Sequence, residues 1–461
     1  MFHRFSIFLF AVCSCVAWAD EFTDLSNTFG VTTRLIGTHQ VATNDPNTLL
    51  PINFWLPQYE GQPALGVPLS NPHMAQADAF GNIYIADKAS HTVLKITTDG
   101  NIHTFAGMHT AGFNGDGPAQ ATTLLLNNTN GLFVFPNGVV YLLDPGNRRI
   151  RRVGTDGVMT TIVYDPEPNW YPSGRGLWVS PDEQLIFYTN EFAPVPPSII
   201  ADGAVVKKWT PTGGIEVICN KAMGFRNPAN LAVNPVDGKL WVTDRAEEDA
   251  TKLETGLFRI DAVNTRTRMT GNFNASAAVD GRLALNSFID QPRGIAFLPN
   301  GAYFLCGHKE GSVWYVDTTG VLHKYLRGRG SGDVYALSDG LHPPLTLSDY
   351  FRQPRAVALA PNGNLLVVCC DSGFVFKVNN AMAGHLPSDL KPVSLDADGL
   401  HLNWSGLFSR GYRVQRTWSL LPADWQDIGA SGGAPTGVPS TFVDPAVTGH
   451  TIGFYRLLPS L

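Results

Sequence analysis

Charge is scarce in this chain. Only 16% of its 461 residues are Asp, Glu, Lys or Arg, against 44% apolar, which excludes a disordered, charge-rich polypeptide. Basic residues are the minority: 33 Lys and Arg face 39 Asp and Glu, a net charge of −6. A general nucleic-acid binder carries a basic patch or stripe, so that class is disfavoured. Cysteine is rare as well, at six residues. No CxxC, CxxCH or paired Cys/His spacing occurs, which argues against structural zinc and c-type haem. No apolar run after the N-terminus is long enough for a transmembrane helix. No HExxH occurs, and the one GxSxG match, Gly429–Gly433, lies in a Gly/Ser/Pro-rich stretch rather than in a strand-to-helix elbow.

The chain is instead rich in turn formers, with 46 Gly and 32 Pro. That is high for a helical protein and too low for a collagen-like one, and it points to an all-β fold. The first segment stands apart. His3 and Arg4 precede an apolar run from Phe5 to Val16, then Ala17-Trp18-Ala19, then the polar Asp20-Glu21. This is the layout of a secretory signal peptide, 1–19, and predicts a secreted or periplasmic protein. Cys13 and Cys15 lack the usual small-residue setting of a lipidation site. The mature chain keeps Cys219, Cys306, Cys369 and Cys370, too few for a disulfide-stapled fold. Cys306 and Cys369 sit in apolar, strand-like runs and read as small core residues. A strained Cys369–Cys370 disulfide is the alternative for that pair.

Six segments share one plan. They start at Asn71, Asn128, Ser173, Asn227, Gln291 and Gln353, and their second strands end near Asp87, Asp144, Asn190, Asp244, Cys306 and Cys370. Most read as strand, tight turn with Asn-Gly or Asp-Gly, strand, with apolar residues alternating at period two. A third strand follows in each, for example Thr92–Ile96 and Phe374–Val378, and a Gly-led fourth in most, such as Gly100–Phe105. Four antiparallel strands per unit, radially repeated, is the plan of a β-propeller.

Asp144-Pro-Gly-Asn-Arg-Arg-Ile-Arg-Arg-Val153 closely resembles the core motif of NHL repeats, as does the inter-unit loop Gly115–Ala121. Weaker echoes stand at Val279–Arg282 and Ser338–Leu341. The resemblance spans roughly residues 31–380. It is strongest in the first two units and degenerates in the third and fourth, where the connections 191–203 and 245–255 swell. It implies a propeller that serves as a scaffold for ligands, and says little about which ligand.

The sixth unit supplies only three strands before the chain runs out near Asn380, while Gly30–Ile36 is an orphan strand at the start. If that strand pairs as the outer strand of the last unit, the ring closes with no open sheet edge. The expected organisation is an all-β, six-bladed propeller over 20–384, a linker over 385–392, and a small β-sandwich over 393–461. In that last region Tyr412–Gln415, Trp425–Ile428 and Phe454–Leu457 are similar to C-terminal modules of secreted bacterial proteins. Trp404, Trp418 and Trp425 are expected to pack in its core rather than to form an exposed glycan platform.

Aligning the units by their turns places His73, Asn130, Arg175, Ala229, Arg293 and Arg355 at one level of the first strands. Three guanidiniums and an imidazole around one opening suit an anion, because Arg offers paired donors to carboxylate or phosphate. The competing expectation is that these arginines pair with neighbouring acids and serve the fold. A second level holds Asp87, Asp144, Asn190, Asp244 and, by a looser alignment, Asp371. Asp and Asn suit these ends because their side chains accept from nearby backbone N–H groups, a structural role. No cofactor is expected. Calcium is the one ion the acidic positions suit, including the insert with Glu247, Glu248, Asp249 and Glu254, which lacks EF-hand spacing.

Some six-bladed relatives in the resembling group are metal-dependent lactonases, and amidating lyases of similar build hold zinc with histidines. Such a site needs about three converging imidazoles. Here only His73 and His308 are placed near the first strands, while His39, His91, His103, His109 and His323 fall on loops or outer strands. The favoured reading is a binding or interaction scaffold. It would be a monomer that recognises a protein, peptide or glycan on one propeller face, with no nucleic-acid partner and no catalytic residue assigned. A channel-centred lactonase- or lyase-type enzyme is the alternative.

Overall fold

The computed structural model describes residues 32–38, 52–166, 170–171, 175–192, 205–220, 222, 224–245, 255–263, 265–279, 281–327, 353–378, 391–405, 412–419, 424–431, 439–447 and 453–459. Among them there is no α-helix, only short 3-10 turns between strands. The chain divides into two compact units, one of 31–316 and 320–379, the other of 1–30, 317–319 and 380–461.

The larger unit holds six antiparallel sheets, I to VI in chain order. Sheet I is Pro72–Ala77, Ile83–Asp87, Thr92–Ile96 and Ile102–Ala106. Sheet II is Gly131–Val134, Val140–Asp144, Arg149–Val153 and Val158–Tyr164. Sheet III is Leu177–Val179, Ile186–Phe192, Val205–Thr210 and Gly214–Cys219. Sheet IV is Pro228–Val233, Leu240–Asp244, Gly256–Ala262 and Thr265–Arg268. Sheet V is Pro292–Phe297, Tyr303–Gly307, Ser312–Val316 and Leu322–Arg327. Sheet VI is Pro354–Leu359, Leu365–Cys369 and Phe374–Val378, with Thr32–Ile36 as its fourth strand. That strand pairs in antiparallel register, Thr32 opposite Val378 and Arg34 opposite Phe376.

Short strands extend beyond the four-strand plan; Ser276–Ala277 and Ser287–Phe288 form a parallel pair of their own, and two others join sheets II and III. Ala119–Gln120, inside the loop that carries the Gly-Asp-Gly motif, pairs with Val158–Met159 of sheet II. Trp170–Tyr171 pairs with Glu191–Phe192 of sheet III. The tight turns between first and second strands use glycine where the backbone must be left-handed, as at Gly138 (φ +87°) and Gly363 (φ +84°).

Second strands depart from simple alternation. In sheets I, II, IV, V and VI all five of their residues are buried. The reason is packing: each sheet lies between two others, so both faces of a central strand are covered. One apolar core joins sheets VI, I and II through Ile36, Val375, Ile85, Leu94, Leu142 and Met159. Others lie between II and III (Leu143, Tyr188), III and IV (Val206, Val242) and IV and V (Trp241, Leu305).

The first strands of successive sheets lie against one another in the order I, II, III, IV, V, VI and back to I. Between V and VI the approach is so close that a Cβ on Gly294 would sit 2.7 Å from the Ala356 backbone. Polar bridges tie neighbouring sheets together. Val134 N–H donates to Gln76 Oε1 (2.8 Å), Tyr141 O–H to Glu183 (2.5 Å), and Thr243 Oγ1 to the Arg293 carbonyl (2.8 Å). The larger unit is thus all-β and propeller-like.

The smaller unit contains two three-stranded antiparallel sheets. One orders Lys391–Asp396, Gly399–Ser405 and Pro439–Asp444; the other orders Gln426–Ser431, Tyr412–Thr417 and Phe454–Pro459. Its core is Leu400, Leu402 and Val414, with Ile428, Phe442 and Tyr455 against it. Asp444 is buried where it accepts from Arg416 (2.7 Å) and Tyr455 (2.8 Å). Trp418 and Trp425 are half-buried beside this apolar core rather than members of it, and the side chain of Trp404 falls outside the described residues. The Arg416 guanidinium lies 4.2 Å over the Trp418 ring, so that ring serves as its platform.

Candidate functional site

In sheets I, II and IV the segment that enters the first strand is anchored by the end of the second. In sheet I the Asp87 carboxylate accepts the backbone N–H groups of Ser70 (3.0 Å) and Asn71 (2.6 Å). In sheet IV Asp244 does the same for Arg226 (2.7 Å) and Asn227 (2.8 Å). In sheet II Asp144 accepts from Asn127 N–H (2.8 Å), the Asn147 amide and the Arg151 guanidinium. These carboxylates are committed to backbone and side-chain donors of their own sheets. Asn190 stands at the same place in sheet III, but both of its amide atoms are buried without a partner among the described residues.

Asp371 does not belong to this level. Strand register puts Pro72 opposite Asp87, Pro228 opposite Asp244, and Pro354 opposite Cys369. Cys369 therefore holds the anchoring position of sheet VI, and Asp371 lies two residues on, in the 3-10 turn Cys370–Ser372. From there its carboxylate accepts from Arg355 Nη2 (3.1 Å). Cys219, Cys306, Cys369 and Cys370 are all free thiols, so no Cys369–Cys370 bridge forms. Instead Cys370 Sγ donates to Asn71 Oδ1 across the junction of sheets VI and I (2.6 Å), and burial pushes its thiol up to about 11.

The starts of the first strands gather charge. His73, Asn130, Arg175, Ala229 and Arg293 are buried, and Arg355 is largely so. Arg355 Nη1 lies 3.1 Å from His73 Nε2, joining sheets VI and I. Arg293 Nη2 lies 3.5 Å from Gln291 Oε1. Burial holds Arg293 well below the usual guanidinium range, and Arg355, Arg245 and Arg175 push in the same direction, with Asp371 opposing. Four guanidiniums thus act on one another from sheets III, IV, V and VI.

Both imidazoles of the cluster are kept neutral. Burial lowers His73 well below its ordinary value, and the charges of Arg355, Lys88, Arg175 and Arg293 add to it. His308 is lowered by burial, then by Arg293, Arg355 and Arg175. Their tautomers follow from their partners. Arg355 can only donate, so His73 Nε2 accepts and its proton sits on Nδ1. His308 Nδ1 is 3.1 Å from the Gln353 carbonyl, which can only accept, so its proton sits on Nδ1 as well.

His308 is not on a first strand. It follows the second strand of sheet V, as Arg245 follows that of sheet IV and Asp371 that of sheet VI. The turns after second strands therefore feed a second set of side chains into the cluster. Alignment of first strands alone passes over Arg245 and the role of Asp371. Strand register after Pro-led first strands is the signal that finds them. The remaining histidines lie elsewhere: His91 accepts from Asn128 N–H, His103 meets Glu60, His109 stacks on Trp55, and His323 is on a fourth strand. His39, Glu247, Glu248, Asp249 and Glu254 fall outside the described residues. Among the described residues no group of three His, Cys, Asp or Glu gathers as a metal would require.

No family profile matches the chain, and no curated relative does. Solved structures do resemble it. A protein of unknown function from Bacteroides thetaiotaomicron is 11% identical, with a TM-score of 0.51 over 75% of this chain and 74% of that one. An auxiliary nutrient-binding protein from the same species is 11% identical, with a TM-score of 0.48 over 75% of each chain. A gluconolactonase from Xanthomonas campestris is 15% identical, with a TM-score of 0.45 over 67% of this chain and 86% of that one. At such identity the first likeness speaks for the fold alone, and it agrees with the all-β, propeller-like arrangement.

Proposed function

We propose that the mature chain is an exported, six-bladed NHL-type propeller followed by a small β-sandwich, and that it is a binding scaffold for an anionic ligand. Six first strands in closed order, with the N-terminal strand in sheet VI, support the blade count. The boundaries 20–384 and 393–461 follow that reading. The signal-like N-terminus supports export, and among the described residues no helix is long and apolar enough to cross a membrane.

One observation carries the ligand. Arg355 and His73 meet where sheets VI and I join, yet among the described residues Arg355 Nε and His73 Nδ1 are buried donors without an acceptor. A buried unpaired N–H costs about 1–3 kcal/mol, a cost that a bound anion removes. The same place suits a cation poorly. The Nε2 lone pair of His73 is taken by a guanidinium, and Arg175, Arg293 and Arg355 oppose added positive charge. A metal-centred lactonase or lyase at this spot would have to displace those arginines.

The test is thermal melting of the mature protein at fixed ionic strength with anionic, neutral and cationic probes of matched size. Anions raise the melting temperature; at 100 times Kd the gain is about 2.7 kcal/mol. Arg355→Gln melts within a few degrees of the parent and loses the anion response. Equal responses of parent and variant, or a response to cations alone, would reject the reading.

A further inference from the structure

The cluster sets two acceptors without protein donors beside its unmet donors. On the donor side stand His73 Nδ1–H, in a residue only 2% exposed, and Arg355 Nε–H. On the acceptor side, His308 has its proton on Nδ1, so Nε2 presents a bare lone pair. It faces Asp371 Oδ2 across 3.9 Å, too far for a hydrogen bond and with no hydrogen to share. Among the described residues neither atom has a donor. Two acceptors facing each other repel unless a donor group comes between them; the Asp371 side chain is 37% exposed, so water can serve until a ligand group displaces it. His308 does not become that donor by protonating, since burial and three arginines hold it neutral.

A simple anion would satisfy the donors and leave the acceptors bare. A phosphate dianion would also bring two charges against the Asp371 carboxylate. An ammonium group would satisfy the acceptors but would face Arg175, Arg293 and Arg355 in a partly buried site. A hydroxyl donates to Asp371 and His308 without adding charge of either sign. We infer, on the anion-binding reading above, that the ligand is a hydroxy-carboxylate of the sugar-acid class. Its carboxylate takes the N–H donors of Arg355 and His73, and its hydroxyls donate to Asp371 and to Nε2 of His308. A site built to hydrogen-bond a hydroxyl rejects the analogue that lacks it, because its own polar groups are then left bare.

The experiment is titration calorimetry of the mature protein with glucuronate, cyclohexanecarboxylate, glucose, lactate and alanine at pH 7.5. Glucuronate is expected to bind at least tenfold more tightly than cyclohexanecarboxylate, lactate more tightly than alanine, and glucose not measurably. In Asp371→Ala and Asp371→Asn the preference for glucuronate over cyclohexanecarboxylate should fall below threefold. Cyclohexanecarboxylate itself should bind as well or better there, since a like charge has gone. Melting curves confirm that each variant is folded, and the ratio in the parent decides the matter if neither is. Equal binding of glucuronate and cyclohexanecarboxylate overturns the inference and leaves anion binding intact. Tighter binding of alanine than lactate assigns the acceptors to an ammonium group and also overturns it. Binding of no acid at all removes the broader reading, and this one with it.

Discussion

Sheets II and VI treat buried charge in opposite ways. In sheet II Arg151 is fully buried, and its guanidinium reaches Asp144 (3.1 Å), the Gly115 carbonyl (2.9 Å) and Thr161 Oγ1 (2.8 Å). Asp116 then draws in Arg149 (2.6 Å) and Thr161 (2.7 Å), and Phe113 lies under the Arg149 guanidinium. Every element comes from one stretch of chain, the one with the NHL-like wording. Sheet VI is assembled from both ends of the propeller sequence, and its Arg355 shares one bond each with Asp371 and His73, leaving Nε idle. Of the Arg151 nitrogens Nη2 alone lacks a hydrogen bond among the described residues, but it lies 3.1 Å from the Asp144 carboxylate, so its charge is met. Charge met within one sheet holds a fold. Unfilled bonding in a buried cluster marks charge that waits for something else.

The contrast can be broken most severely at sheet VI. Deleting residues 20–38 removes Thr32–Ile36 and exposes the edge strand Phe374–Val378. The loss of one strand's hydrogen bonds, and of the buried Ile36, should cost about 3–5 kcal/mol and promote aggregation. Denaturant melts and light scattering would show it. A deletion that melts like the parent would mean the pairing contributes nothing.

Sheet II should fail almost as badly from a single change. Arg151→Met strands the buried Asp144 carboxylate, for about 3–5 kcal/mol. Adding Asp144→Asn should recover part of that loss. If the double variant is no better than the single, the pair is not the unit described here.

Protonation sharpens the contrast further, since the histidines lie on only one side of it. His73 and His308 stay neutral in the folded protein, while in the unfolded chain they protonate as pH falls through about 6.5. The unfolded state then binds more protons, so stability is intact above that pH and is lost below it. Each histidine contributes up to about 1.4 kcal/mol per pH unit. His308→Gln should flatten the stability profile between pH 6.5 and 5, measured by chemical denaturation at each pH. An unchanged slope would show that the imidazole titrates normally when folded.

What the sequence made legible was local. Asn-Gly turns and alternating apolar residues report strands because both depend on near neighbours, and the recurring Gln-Pro-Arg of Gln291–Arg293 and Gln353–Arg355 marks matching positions in sheets V and VI. The all-β, propeller-like fold followed from such signals. The site was harder. Asp371 looked like one more anchoring carboxylate, but a 3-10 turn shifts it past Cys369 and toward Arg355. Arg245 and His308 lie beyond second strands, and only the approach of sheets III to VI brings them to Arg293 and Arg355. Neither a tautomer nor an idle N–H can be read from spacing, because each depends on a partner distant in the chain, as His73 depends on Arg355 and His308 on Gln353.

The most direct measurement is a crystal structure of the mature protein grown with glucuronate. The account predicts a carboxylate within hydrogen-bond distance of Arg355 Nε, and a hydroxyl between Asp371 and His308. Ordered ligand bound only elsewhere, or Arg355 and His73 found saturated by protein groups in the absence of ligand, would contradict it.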